Sequence, residues 1–267
     1  MAYDYELGII GVGEMGGSLA AGFVDSGLVA PEQIIASDLR DDLLASLGLR
    51  GIATTRDSVQ VAAQAQTVLL ALKPQILPAV CPSLSLQADQ LVISIAAGVT
   101  LARLGELLGE AQPIIRVMPN ILAAVSQAAS AYAGNAQVTA AHLELAQRLL
   151  SSVGTAVQVE EKLMDAVTGL SGSGPAFVAA FAEAMIDGGV AAGLPRHQAT
   201  ALAAQTIKGV GQWLLQGGLG PGALKDKVTS PGGTTIAGLR ALEGGGLRSA
   251  VIEAVVAAAE RSRELGK

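Results

Sequence analysis

The sequence predicts an α/β fold in two domains, an α/β domain at residues 1–160 followed by an all-helical domain at residues 161–267. In the first region, short apolar runs alternate with amphipathic stretches. Strands that alternate with helices are typical of βαβ units and of a mostly parallel sheet. In the second region, long alanine-rich helical stretches follow one another without a strand-like run. We therefore expect the architecture to change near residue 161.

The predicted strands are runs of four to six mostly apolar residues. They lie at residues 7–10, 33–37, 67–72, 91–96, 114–117, 129–133 and 156–159. Helical patterns at residues 17–27 and 39–47 separate the first strands. In the second region, we expect helices at residues 163–190, 195–215 and 247–265.

The composition restricts the classes of function. A net charge of −6 without a basic cluster argues against nucleic acid as a partner. No apolar run approaches the roughly 18 residues of a membrane-spanning helix. Hydrophobic residues make up 51% of the chain and charged residues only 15%. So apolar a chain must bury much of its surface, and we expect part of it to be buried between subunits.

The chain offers few residues for metal or thiol chemistry. Its one cysteine, Cys81, cannot form an intrachain disulfide, which fits a reducing, cytoplasmic compartment. Cys81 has no histidine or second cysteine nearby, so we interpret it as a packing residue. The two histidines, His142 and His197, are far apart and lack the spacing of metal ligands, so no metal site is predicted.

A glycine-rich turn follows the first predicted strand and precedes a helix. Residues 11–16 match the pattern G-x-G-x-x-G of dinucleotide-binding folds in the required context. Gly11 permits the tight turn, Gly13 lets a pyrophosphate approach, and Gly16 allows helix and strand to pack closely. Glu14 and Met15 complete the motif. The first domain is therefore predicted to be Rossmann-like and to bind a dinucleotide.

The end of the second predicted strand bears on the choice of cofactor. Asp38 lies where an acidic residue usually accepts a hydrogen bond from the ribose 2′-hydroxyl, which favours NAD. Ser37 and Arg40 favour NADP, because both could hold a 2′-phosphate. Asp38 has a second interpretation as the N-cap of the helix that follows. NADPH and NADH both stay open on these residues.

Three further strand ends supply residues to the same edge of the sheet, where ligands bind in such folds. They are Ala71-Leu72-Lys73-Pro74, Ile95-Ala96-Ala97-Gly98 and Met118-Pro119-Asn120. Lys73 would bring a cation to this edge. Asn120 offers an amide to a nicotinamide or to the substrate.

A second glycine-rich loop lies near the end of the sequence, where residues 230–236 read Ser-Pro-Gly-Gly-Thr-Thr-Ile before a helical run. Glycines let the backbone approach a ligand. The helix supplies unpaired N–H groups and a positive dipole end. The loop is therefore suited to a small anion, although an ordinary capped turn would have a similar sequence. With the N-terminal motif, it suggests a dinucleotide cofactor and a small carboxylate substrate.

These segments together resemble the pyrroline-5-carboxylate reductase family, over nearly the whole chain and in the same order. The matching segments are residues 11–16, 71–74, 95–100, 116–120, 165–176, 222–226 and 229–236. The last is the most specific, because it resembles the family's signature. The resemblance implies an enzyme of proline biosynthesis that transfers hydride from NAD(P)H to the imine carbon of 1-pyrroline-5-carboxylate and forms L-proline.

The resemblance also implies an architecture and an assembly. Family members combine a Rossmann domain with a helical domain through which they dimerise, and larger assemblies of dimers occur. They are cytosolic in bacteria. We therefore expect residues 161–267 to bind substrate and to form a homodimer that assembles further.

The resemblance assigns roles to individual residues. Thr235 is expected to be catalytic, with its hydroxyl bonded to the ring nitrogen of the substrate. The expected substrate-binding residues are Lys227, Ser230, Gly232, Gly233, Thr234 and Thr235. The expected cofactor-binding residues are Gly11, Gly13, Glu14, Met15, Gly16, Ser37, Asp38, Ser58, Ala71, Leu72, Lys73, Pro74, Ala96, Ala97, Asn120 and Glu161. Ser58 stands where many relatives have an asparagine, and Glu161 aligns with an acidic residue near the cofactor.

Two alternatives to a reductase remain. The β-hydroxyacid dehydrogenases share the two-domain outline, but they need a lysine shortly after a glycine motif, and here none follows Gly174 until Lys208. The second alternative is a relative that binds a dinucleotide without turnover. Its only support is the pair Ile121-Leu122, where the family usually has Thr-Pro. Ala128, in place of a glycine, is a further departure from the family pattern.

Overall fold

The computed structural model describes residues 3–217 and 220–266, so residues 1, 2 and 267 at the ends of the two predicted domains lie outside it. The chain forms two compact units. The first contains the chain up to Ser173 and again from Ala257, and the second contains Gly174–Val256. A functional boundary at residue 161 stays a prediction.

The first unit is built on one eight-stranded sheet with the order β3-β2-β1-β4-β5-β6-β7-β8. The strands are β1 (Tyr5–Ile10), β2 (Ile34–Ser37), β3 (Ala53–Thr55), β4 (Ala65–Leu70), β5 (Leu91–Ser94), β6 (Ile114–Met118), β7 (Ala128–Gly134) and β8 (Gly154–Gln158). All neighbouring pairs are parallel except β6 and β7. The predicted mostly parallel α/β fold is confirmed.

Helices cover both faces of this sheet. They are α1 (Glu14–Asp25), α2 (Asp41–Gly48), α3 (Ser58–Gln64), α4 (Leu77–Val80), α5 (Leu101–Leu108), α6 (Ala140–Ser151) and α7 (Met164–Val167). Successive side chains of a strand point to opposite faces, and accordingly Ile9 and Ile10 belong to two different apolar cores. A sheet buried on both faces explains why its strands are continuous apolar runs.

The register and the lengths of the strands bring several strand ends together at one edge of the sheet. Ile10 is paired with Ser37 on one side and with Leu70 on the other, so these strands end side by side. Strands β4 and β5 end at Leu70 and Ser94, earlier than the predicted ends at 72 and 96. The residues that follow are therefore free to form loops at this edge.

The sheet reverses direction between β6 and β7 through a short connection. Asn120 caps a 3₁₀ helix at Ile121–Val125, and Ser126 adopts a left-handed conformation with φ of 55°. A connection this short cannot cross over the sheet, so it can join only antiparallel strands.

The second unit is helical. It contains α8 (Gly174–Ala191), α9 (Arg196–Gln216), α10 (Pro221–Lys227), α11 (Thr234–Gly244) and the first part of α12 (Leu247–Leu265). The predicted helix at 163–190 is instead α7, a π-helical turn at Thr168–Gly172 and then α8. Among the described helices of both units, none is long and apolar enough to cross a membrane.

Candidate active site

Gly11 and Gly16 are required by the backbone of the turn between β1 and α1. Gly11 has φ of +91°, and a Cβ there would lie 2.6 Å from the carbonyl oxygen of Ala71. A Cβ on Gly16 would overlap the carbonyl oxygen of Gly11. These two glycines therefore set the close packing of β1, α1 and the end of β4.

Gly13 differs from them because the space beside it is open. A Cβ there would meet only the Nη2 atom of Arg40, at 3.7 Å. Gly13 is the N-cap of α1, and no side chain among the described residues caps this helix end. The first N–H groups of a twelve-residue helix, with their positive dipole end, thus face a gap that an anion can enter.

Asp38 holds this turn in place. Its Oδ2 atom accepts a hydrogen bond from the backbone N–H of Val12 at 2.9 Å, and its Oδ1 atom accepts one from the N–H of Arg40 at 3.1 Å. Asp38 does not cap α2, whose N-cap is Arg40. A carboxylate fixed by the glycine turn is a structural role that the sequence pattern did not predict.

A cavity of about 260 Å³ lies on one side of the glycine turn. The predicted cofactor residues that line it are Gly11, Ser37, Asp38, Ser58 and Leu72. Ser37 is 2% exposed, and its Oγ atom has no hydrogen-bond partner among the described residues. A buried hydroxyl without a partner costs free energy, so this cavity is suited to a polar ligand group that bonds Ser37.

Arg56 also lines this cavity, although no sequence pattern indicates it. Its guanidinium donates to the carbonyl of Leu39 at 3.1 Å and lies 3.4 Å from Asp41. The side chain is 63% exposed, so its remaining N–H groups can reach a ligand. Arg56 follows β3, which has only three residues and no clear apolar pattern, so no strand end was predicted there.

A second cavity, of about 320 Å³, lies on the other side of the turn. The predicted cofactor residues that line it are Gly13, Glu14, Met15, Gly16, Ala71, Leu72, Lys73 and Ala97. Ile95, Met118 and Pro119 complete its wall. The ends of β1, β4, β5 and β6 thus surround one space, as the strand-end pattern predicted.

Four predicted cofactor residues line neither of these cavities. Ala96 is 4% exposed and packs in the core, and Pro74 lines a neighbouring cavity. Asn120 uses its side chain internally, since Oδ1 accepts from Leu122 and Ala129 and Nδ2 donates to the carbonyl of Ser171 at 3.0 Å.

Glu161 likewise bonds other residues of the first unit and lines neither cavity. Its Oε1 atom accepts from the N–H of Leu101 at 2.6 Å and lies 3.2 Å from the guanidinium of Arg116. Arg116 is buried on β6, so this pair neutralises a buried charge.

A third cavity, of about 380 Å³, extends along α1 towards α2. Its lining residues Asp25 and Arg50 are paired with each other at 2.8 Å. That pairing makes it less suited to an anionic cofactor than the two cavities beside the glycine turn.

The predicted substrate loop opens α11 in the helical unit. Gly232 has φ of +67°, and a Cβ on Gly233 would overlap the Oγ atom of Ser230. Gly233 is the N-cap of α11, and among the described residues no side chain caps the helix. Thr234 is exposed and Thr235 half-buried in the first turn. The loop thus has the open N–H groups that an anion requires.

Lys227 lies at the end of α10, shortly before this loop. Its ammonium is 5.3 Å from the ring centroid of Trp213, at cation–π distance. Trp213 was not singled out in the sequence, because nothing in its spacing relates it to Lys227.

The first unit combines a mostly parallel sheet with a glycine turn at the end of its first strand, and two cavities lie beside that turn. These features define a Rossmann-type dinucleotide-binding protein. Its second, helical unit presents a separate loop suited to an anion.

Comparison with known proteins identifies the family. Residues 161–265 match the family model described as pyrroline-5-carboxylate reductase dimerisation. Residues 6–98 match the model described as NADP oxidoreductase coenzyme F420-dependent. The pyrroline-5-carboxylate reductase of Methanosarcina acetivorans is 48% identical over 267 residues, which is 99% of each chain.

Solved structures agree over the full length. A pyrroline-5-carboxylate reductase from Coxiella burnetii matches with a TM-score of 0.93 and 34% identity, covering 99% of both chains. The Plasmodium falciparum pyrroline carboxylate reductase with NADP bound matches with a TM-score of 0.86 and 31% identity, covering 100% of both. The chain therefore belongs to the pyrroline-5-carboxylate reductase family. The predicted family, fold class and oxidoreductase class are confirmed, and a β-hydroxyacid dehydrogenase is not supported.

Proposed function

We propose that this chain reduces 1-pyrroline-5-carboxylate to L-proline with NADPH, the last step of proline biosynthesis. Family membership supports the reaction. The observation that carries the proposal for this chain is the open N-terminus of α1 between two cavities lined by the predicted cofactor residues.

The residues present fit a dinucleotide. A pyrophosphate beside Gly13 would accept hydrogen bonds from the first N–H groups of α1, where a side chain at residue 13 would stand in its way. The buried Oγ atom of Ser37 would gain a partner in the adenosine half. When bound, NADPH supplies the hydride. The protein's own task is to hold the cofactor and the substrate in line.

Two arginines support NADPH rather than NADH. Arg56 lines the cavity beside Ser37 and Asp38, and Arg40 lies next to Gly13. A guanidinium binds a phosphate in a charge-assisted, often bidentate manner. Asp38 accepts one hydrogen bond at each oxygen, so its carboxylate is held at the glycine turn and keeps acceptor sites for a ribose hydroxyl.

We expect Arg56→Ala to raise the KM for NADPH about tenfold or more and to leave the KM for NADH unchanged, as for loss of a hydrogen bond to a charged group. Arg50→Ala is the matched control, because Arg50 is an exposed arginine that pairs with Asp25 elsewhere on the same unit. Equal changes for both cofactors would contradict a role for Arg56 at the 2′-phosphate.

The substrate is proposed to bind at the start of α11. The residues assigned to it are Lys227, Ser230, Gly232, Gly233, Thr234 and Thr235. The backbone N–H groups of Gly232 and Thr234 would hold its carboxylate, which an uncapped helix N-terminus favours. The N–H of Gly233, expected to contribute as well, instead donates to the carbonyl oxygen of Ser230 at 3.1 Å. The hydroxyl of Thr235 would hydrogen-bond the ring nitrogen. A protonated imine accepts hydride readily, so no histidine or carboxylate acid is required.

The chain is proposed to work in the cytoplasm as a homodimer formed through residues 161–267, with dimers assembling further. The match of residues 161–265 to a dimerisation model supports the homodimer. None of the residues of α8, all of which are described, is buried within the chain. So apolar a helix needs cover that a second subunit would supply.

The first test is the consumption of NADPH and, separately, of NADH with racemic 1-pyrroline-5-carboxylate, followed by the absorbance of the reduced nicotinamide. Formation of proline with faster NADPH turnover is the expected result. Tight NADPH binding without turnover, from a folded and dimeric sample, would instead favour the non-catalytic relative and would direct attention to Ile121 and Leu122.

Substitution of Thr235 tests the catalytic assignment. We expect Thr235→Ala to lower kcat by about 100-fold or more, because the substrate would lose the hydrogen bond that holds its ring nitrogen in place for hydride transfer. Thr235→Ser keeps the hydroxyl and is expected to retain most of the activity. An alanine variant with the wild-type rate would remove Thr235 from the mechanism.

A further inference from the structure

The last turn of α12 packs against the loop that follows β5. Residues from Ala257 onward belong to the same compact unit as the sheet. Gly98 in this loop has φ of +75°, and a Cβ built on it would lie 3.8 Å from the Cα of Gly266. A Cβ on Gly266 would approach the carbonyl oxygen of Gly98 to 3.0 Å. Two glycines thus let two backbones meet without an intervening side chain.

A side-chain hydrogen bond anchors this turn to the same unit. Ser262 donates from its Oγ atom to Oδ1 of Asp165, on α7, at 2.7 Å. Ser262 is 6% exposed, and Ala259, one turn earlier, is 5% exposed. A buried polar contact between residues 97 positions apart has little local origin, so it specifies where α12 ends on this unit.

The far end of the same loop is also held. Thr100 caps α5 by accepting from the N–H of Arg103 at 3.1 Å, and Glu161 accepts from the N–H of Leu101 at 2.6 Å. Hydrogen bonds therefore hold the junction of this loop with α5 at Thr100 and Leu101, and Gly266 lies against the loop at Gly98.

The loop between these points forms the wall of the cofactor cavity. Ile95 and Ala97 line the cavity of about 320 Å³ beside the glycine turn. Ala97 also lines the neighbouring cavity of about 270 Å³, together with Gly98, Leu265 and Gly266. Ala97 thus separates the cofactor cavity from the end of α12, and a shift of Gly98 would move this wall.

We infer that the last turn of α12, together with Gly266 directly after it, is a positioning element for the cofactor site. It acts through Ser262 and Gly266 on the loop at residues 95–100. This role deepens the proposed function. It rests on that function only for the assignment of NADPH to the cavity beside Gly13. Ser262 and Gly266 line neither of the two cavities beside the glycine turn. They hold the backbone of Gly98, and through it Ala97, in the conformation that receives the cofactor.

The inference is tested with Ser262→Ala, which removes the hydrogen bond, and Gly266→Val, which presses on the Gly98 carbonyl. Ser152→Ala is the matched control for the first, because the Ser152 hydroxyl caps a carbonyl at the end of α6. Gly48→Val is the control for the second, since a Cβ at Gly48 meets no atom within 4 Å. Asp165→Asn retains an acceptor for Ser262 and is the conservative variant.

Two readouts do not depend on turnover. One is hydrogen exchange of the amides of residues 96–101 in the cofactor-free protein, and the other is the Kd for NADPH from its fluorescence on binding. For Ser262→Ala we expect exchange and Kd each to rise about fivefold, as for loss of one part-buried hydrogen bond. Gly266→Val is expected to raise the exchange rate and the Kd by more than Ser262→Ala does. The KM of Ser262→Ala for 1-pyrroline-5-carboxylate should equal that of the wild type. Asp165→Asn and both controls should keep the wild-type exchange rates and the wild-type Kd for NADPH.

Wild-type exchange and NADPH affinity in Ser262→Ala would overturn the inference, even if Gly266→Val failed to fold. An equal loss of NADPH and substrate affinity would also overturn it, because that result indicates general loosening of the fold. A wild-type protein without turnover would refute the proposed function alone, since the NADPH and exchange measurements would still decide the role of α12.

Discussion

The two units of this chain bury their apolar residues to very different degrees. In the first unit, β2 and β5 are buried along their whole length, and two apolar cores lie on opposite faces of the sheet. In the second unit, Ala199 and Ala203 are the only buried residues among those described. There Val178 and Phe181 on α8 remain 49% and 41% exposed.

This difference shows that composition alone does not determine which part of a chain is self-sufficient. A sheet with helices on both faces covers its own strands within one chain. The alanine-rich helices of the second unit present apolar surface without such cover, and exposed apolar patches of this kind mark interaction sites. The first unit is therefore expected to depend on its internal packing, and the second on a partner subunit.

The largest expected effect comes from a charge placed on the uncovered helix. Phe181→Glu should raise the dimer Kd about 100-fold or more, because burying an unpaired carboxylate in an apolar interface costs several kcal/mol. Sedimentation velocity over a concentration series measures it. Leu49→Glu is the control, since Leu49 is an apolar residue of the first unit that is 92% exposed. If both variants dimerise like the wild type, α8 does not form the interface. The expected dependence of the second unit on a partner subunit through this helix would then be wrong.

An intermediate effect is expected inside the first unit, where two glycines of one motif should behave differently. Gly16→Ala overlaps the Gly11 carbonyl and should lower the free energy of unfolding by about 1–3 kcal/mol, as overpacking does. Gly13→Ala meets only Arg40 and should cost less than about 1 kcal/mol, the N-cap difference.

Cofactor binding provides a second comparison between Gly13→Ala and Gly16→Ala. Gly13→Ala should still weaken NADPH binding about tenfold, because its methyl group occupies the approach of the pyrophosphate. Urea unfolding and NADPH titration of both variants separate packing from binding. An undiminished affinity in folded Gly13→Ala would argue against a pyrophosphate at this turn.

The last effect develops only above about pH 9 and concerns the core of the first unit. Burial raises the pKa of the Cys81 thiol from 9.0 to about 11. Between these values the unfolded chain loses the thiol proton while the folded chain keeps it, so this contribution to stability falls as pH rises from 9 to 11. Cys81→Ala should therefore show a shallower alkaline decline in the free energy of unfolding. Identical slopes for the variant and the wild type would indicate that Cys81 ionises equally in both states.

Much of the first unit was predictable because its signals are local. Apolar runs and glycines located seven of the eight strands and the turn at Gly11, since strand burial and tight turns impose residue types directly. The three-residue strand β3 leaves too short a pattern, and Arg56 was missed with it. The helix predicted at 163–190 is interrupted at residues 168–172 by a π-helical turn that contains Gly169 and Gly172.

The structure gives some candidate residues hydrogen-bond partners that no sequence pattern indicates. Asp38 was interpreted as a ribose ligand or a helix cap, and it holds the N–H of Val12. Asn120 was expected to offer its amide outward, and it bonds Ser171. A side chain's partner depends on which strands lie side by side, and no local pattern records that choice.

The sequence by itself therefore determined the alternation of strands and helices, the two glycine-rich loops and an apolar excess that requires a partner. These properties follow from backbone sterics and from the cost of exposing apolar side chains, which act on each segment separately. Tertiary structure alone decided which segments meet. Sheet order and register put Gly11, Ser37 and Leu72 around one cavity, and packing brought Gly266 onto Gly98. Such contacts join distant segments, so they depend on the fold as a whole.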